Sequence, residues 1–134
     1  MEWQRLRAPS LEEFETLVTA AYRELPAEFR SLCEEIVVQV AEFPDESVCE
    51  DLELDSPFDL LGLYHGVNRL DRSVLEPTHM PEMITLYRRP ILDYWSEHDE
   101  SLSAIIAHVL IHEIGHHFGL SDADMERIES DLSE

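Results

Sequence analysis

Apolar and polar residues alternate along this chain with two different periods, and the change of period predicts its elements. Leu11, Phe14, Leu17, Val18 and Ala21 recur at helical spacing, behind a Ser10–Glu13 capping pair that opens a first helix. Pro26 interrupts that stripe, and a short helical piece follows toward Leu32. The run from Ile36 to Phe43 is rich in β-branched residues and reads as a strand stopped by Pro44. Leu60 to Gly66 reads as a second strand, with Gly62 and Gly66 marking points of close backbone approach. Met83 to Arg89 reads as a third, ended by Pro90. Arg69 to Pro81 is a connection containing two prolines, and Ile91 to His98 is either a short helix or irregular. A long helix is expected over about Glu100–Phe118, with Ile106, Val109, Leu110 and Ile114 on or near its buried side. Gly119 is placed to end it in the left-handed conformation, and a last helix spans Asp122–Leu132 behind a Ser121–Asp124 cap.

The expected order is helix, strand, strand, strand, long helix, terminal helix. This is an α+β arrangement: a small three-stranded sheet with helices on one face. At 134 residues the chain is read as one domain, residues 1–134, large enough to bury a core. No repeat or interdomain linker is evident.

Chemistry concentrates on the long helix. His112 and His116 are four residues apart, so both imidazoles project from one face about one turn apart. Glu113 lies about a quarter turn away, where it can reach a water on a metal without being a ligand. Neutral imidazoles with a carboxylate suit zinc, and a catalytic site keeps one position open for water. Zinc lowers the pKa of that water to about 7. Asp122 is a further candidate ligand, although an acid in the first turn of a helix is also favoured by the helix dipole alone. Asp124 is the nearest substitute. His108 shares the stripe of His112 and His116, and reads as a supporting or solvent-facing residue. His117, about 100° round the helix, reads as packed or hydrogen-bonded support.

The extended string His112-Glu113-x-x-His116-x-x-Gly119-x-x-Asp122 resembles that of the Asp-zincins, relatives of the metzincins in which aspartate replaces the third histidine. The whole run HEIGHHFGLSDADM is similar to a family of small bacterial zincin-like metallopeptidases. LEEFETLVTAAYRELPAEF, LLGLYHG and MITLYRRPIL extend the likeness over most of the chain. The resemblance implies a minimal zincin-like fold with a metal-binding active-site helix. It also implies one zinc ion per chain held by His112, His116 and Asp122, with Glu113 as catalytic base. An edge strand, the second or the third, would then pair with an extended peptide or protein substrate. Tyr64, His65, Tyr87, Arg88 and His117 have the right chemistry to stabilise an oxyanion.

Charge narrows the partners. Thirty acids face nine arginines and no lysine, a formal net charge of −21. Binding to nucleic-acid phosphates is excluded on that balance, and basic peptides are favoured over acidic ones. The densest acids, Asp45 to Asp55, read as a solvated loop. No apolar run is long enough to span a membrane. The opening MEWQRLRAPSLEEF lacks the basic-then-apolar order of a secretory signal, and Cys33 and Cys49 form no disulfide framework. A cytoplasmic protein is expected. Two other classes compete with the peptidase: a zinc-binding, non-proteolytic interaction domain, and an acidic nucleic-acid mimic that occupies basic surfaces. Glu113 argues against the first, because a purely structural site has no use for a base. The metal motif is unexplained by the second.

Overall fold

In the computed structural model, residues 2–65 and 82–132 are described. After a single 3-10 turn at Glu2–Arg5 the elements run α1 (Leu11–Glu24), α2 (Ala27–Ser31), β1 (Ile36–Ala41) and α3 (Glu46–Asp51). A second 3-10 turn at Pro57–Asp59 leads into β2 (Gly62–His65). Then follow β3 (Glu82–Tyr87), α4 (Arg88–Glu97), α5 (Leu102–His117) and α6 (Asp122–Leu132). The expected Arg69–Pro81 connection and Gly66 lie outside the described residues.

The sheet is mixed, in the order β1-β3-β2. β1 runs parallel to β3, from Ile36 opposite Glu82 to Ala41 opposite Tyr87. β2 runs antiparallel to β3, with Gly62 opposite Leu86 and His65 opposite Met83. β3 is therefore central, and its Ile84 and Leu86 are fully buried. One face of the sheet meets α1 and α5 through Phe14, Val18, Ile106, Val109 and Leu110. On β1 the alternation is direct evidence of this: Ile36, Val38 and Val40 pack against the core while Val37 stays exposed. The α+β fold expected from the sequence is the one observed.

The Ser10–Glu13 capping box is formed, with both reciprocal hydrogen bonds. Two stretches differ from the sequence reading. The acid-rich segment is not a plain solvated loop: Asp45 caps α3 by accepting from the Val48 N–H, and Ser56 caps the 3-10 turn. Its neighbour Tyr87 is buried, and burial, with Asp45 next in weight, pushes the phenol up to about 12. Second, the third strand stops at Tyr87 rather than Arg89. Pro90 falls in the first turn of α4, where a missing N–H costs no helical bond. Arg88 is drawn inward there, donating from Nε to the Pro9 carbonyl at 2.7 Å and pairing with Glu42 at 3.1 Å. Of the two alternatives for Ile91–His98, the helix is the one formed, as part of α4. Cys33 and Cys49 are free thiols, and burial raises Cys33 to about 11.

The end of α5 matches its sequence signal closely. Gly119 has φ +72°, its N–H reaches the His116 carbonyl at 3.2 Å, and the Leu120 N–H reaches the Gly115 carbonyl at 2.9 Å. These are the two bonds of a Schellman cap. A β-carbon at Gly119 would touch nothing within 4 Å, so its requirement is conformational alone. Gly119→Ala is expected to cost about 1–2 kcal/mol, the penalty of a left-handed L-residue, measured by urea denaturation. A loss under about 0.3 kcal/mol would show that the turn relaxes freely.

Candidate metal centre on helices α5 and α6

α5 presents two adjacent stripes of functional side chains. The first, Val109, Glu113 and His117, faces β2. Gly62 lets the strand approach: a β-carbon there would come within 2.7 Å of Val109 Cγ1 and 3.7 Å of Glu113 Cγ. The Tyr64 backbone N–H donates to the Glu113 carboxylate. Glu113 is half-buried, and burial raises its carboxyl above the ordinary value, with His116 and the Tyr64 N–H pulling the other way. One turn on, the His117 ring stacks on Tyr64 at 3.9 Å between centroids. Glu82 closes this corner, accepting from Tyr64 Oη at 2.9 Å and lying 3.7 Å from His117 Nε2. His117 thus rests against Tyr64 and Glu82 while staying exposed to solvent.

The second stripe is His108, His112 and His116. The His112 and His116 rings stand edge-on with centroids 6.0 Å apart. His116 is exposed in the last turn of α5, and Asp122 is exposed in the first turn of α6. Asp124 is engaged in the cap of α6: its backbone N–H donates to Ser121 Oγ at 3.1 Å, and its carboxylate accepts from the Ser121 N–H at 3.4 Å. Met125 is fully buried beneath α5, against Gly115.

One residue of this face has no place in the sequence reading. Glu129 reaches across from α6 to His112 Nε2 at 2.5 Å and to His108 Nδ1 at 2.9 Å. Among the described residues, His108, His112 and Glu129 are the group of three ligand-type side chains whose donor atoms all lie within 4.8 Å of one another. His116 and Asp122 are outside that group. Of the oxyanion candidates, Arg88 is engaged with Glu42 and Pro9, Tyr87 is buried, and Tyr64 and His117 flank Glu113.

The model of the zincin-like metallopeptidase family matches residues 33–132. The chain belongs to that family. The match takes in the whole sheet, α4, α5 and α6, and so both stripes. None of the curated proteins compared with the chain matches it. Membership carries a zinc metallopeptidase type of function and a metal cofactor, typically zinc. The donors on α5 and α6, imidazole nitrogens with carboxylate oxygens, have the chemistry that zinc takes. Among the described residues no helix is long and apolar enough to cross a membrane.

Proposed function

We propose that the chain hydrolyses peptide bonds, with one zinc ion per chain held by His112, His116 and Asp122 and with Glu113 as general base. The observation that carries this reading is the position of Glu113. It stands beside the histidine stripe, half-buried, with its carboxylate oriented by the Tyr64 N–H of an edge strand. Zinc in such a site supplies Lewis acidity and a nucleophile at neutral pH. Glu113 takes a proton from the attacking water and delivers it to the leaving amine. β2 borders α5 at the edge of the sheet, so its backbone can pair with an extended peptide. Tyr64 and His117, stacked on each other beside the base, are the side chains that would steady negative charge on the carbonyl oxygen, with the Tyr64 hydroxyl turning from Glu82 to do so. The net charge of −21 favours basic peptides. Two free thiols suit a reducing compartment, and the cytoplasm is the one proposed.

Cleavage of a peptide library by the zinc-loaded chain tests the proposal. Cleavage is expected to favour sequences rich in Lys and Arg, to stop on chelation and to return with added zinc. Cleavage that persists in chelator, or no cleavage of any peptide, contradicts it.

A further inference from the structure

The two helices of the metal centre run antiparallel from the Gly119 turn, as the contacts of Met125 with Gly115 and of Glu129 with His108 and His112 show. On α5, His108, His112 and His116 recur every fourth residue in one stripe. On α6, Asp122 and Glu129 are separated by two turns and share a face. Asp122 therefore belongs to the His116 end, next to the turn, and Glu129 to the His108 end. His112 lies between.

At the His108 end, two imidazoles and a carboxylate converge: a donor set that zinc accepts. The His112 side chain is 25% exposed, Glu129 31% and His108 52%, so the group is open to solvent on one side. Two of the three, His108 and Glu129, also line a groove of about 460 Å³, together with Glu24 and Glu100. Two more carboxylates in its lining raise the local concentration of cations.

We propose that His108, His112 and Glu129 form a second zinc site, sharing His112 with the site at the His116 end, so that an ion occupies one or the other. Exclusion follows from the shared atom. Glu129 addresses Nε2 of His112, and one imidazole nitrogen holds one ion. The proposal uses a residue of the peptidase site but does not depend on peptidase activity. Its consequence is that zinc held at the His108 end withdraws His112 from Glu113 and its neighbours.

Zinc equilibrium dialysis with elemental analysis tests it. The double variant His116→Ala/Asp122→Ala removes the other end of the stripe at two exposed positions. It is expected still to hold about one zinc per chain. Adding Glu129→Gln, which keeps shape and a hydrogen bond but loses the ligand charge, is expected to weaken that zinc more than about 100-fold. That exceeds the 10–100-fold effect of a residue that only supports a ligand. A double variant that binds no better than His112→Ala overturns the proposal, as does a smaller effect of Glu129→Gln. Two zinc ions on the wild type would overturn the exclusion. Should circular dichroism show the double variant unfolded, His116→Gln with and without Glu129→Gln makes the same comparison. Failure of the peptidase reading looks different: a wild type that holds zinc and cleaves nothing, with the Glu129 effect intact.

Discussion

Replacing Glu113 with glutamine is expected to lower peptide hydrolysis about 10²–10⁴-fold, the usual contribution of a positioned acid–base group. The bound zinc should stay. Glutamine keeps the length of the side chain and can still accept from the Tyr64 N–H, so the contact between α5 and β2 survives. What disappears is the capacity to take a proton. The comparison is made on kcat with a cleaved peptide, with metal content measured on the same preparation. A variant that loses zinc along with activity would make Glu113 a ligand instead of a base. A variant that keeps both would remove it from the chemistry altogether.

Replacing Met125 with alanine is expected to cost about 2–5 kcal/mol, the range for emptying a fully buried Met or Leu. The reason lies beneath the histidines. Met125 is 0% exposed, and its thioether rests where a side chain at Gly115 would otherwise be: a β-carbon there would lie 2.5 Å from Sδ. Gly115 stands between His112 and His116, so this contact sets the distance of α6 from the metal helix. Its loss should lower Tm by roughly 10 °C and weaken zinc binding, since Asp122 and Glu129 both ride on α6. Calorimetry with and without zinc reads both effects. A Tm shift of less than about 2 °C would mean that the α5–α6 spacing is fixed by other contacts, among them Leu120 and Ile128.

The long helix and its ending were legible because several independent signals coincide there. Gly119 takes the left-handed turn, and α6 spans Asp122–Leu132 behind its Ser121 cap as expected, whereas α5 starts at Leu102 behind a Ser101 cap that the reading from Glu100 passed over. α3 was not legible, because six residues with acids on every side carry no stripe; only the Asp45 cap marks it. The end of β3 was misplaced because a proline reads as a stop for a strand, and equally begins a helix. What decides between them is Arg88, whose partners Pro9 and Glu42 are remote in sequence.

The candidate site was legible to the same uneven degree. His112, Glu113 and His116 declare themselves through spacing on a single helix. Glu129 did not, because its role depends on α6 folding back along α5. The one trace of it is that Glu129 lies seven residues, about two turns, beyond Asp122 and so on the same face of α6. Glu82 left no trace, since its approach to Tyr64 and His117 comes from strand pairing.

α5 and α6 together are expected to hold a catalytic zinc ion. The most direct test is zinc content by elemental analysis on wild type and Glu113→Gln, prepared in parallel and dialysed free of loose metal. About one zinc per chain in both is the result expected of a catalytic site whose base is not a ligand. No zinc in the wild type after incubation with excess metal would contradict it, and would leave an acidic protein that carries the family's histidines without their metal.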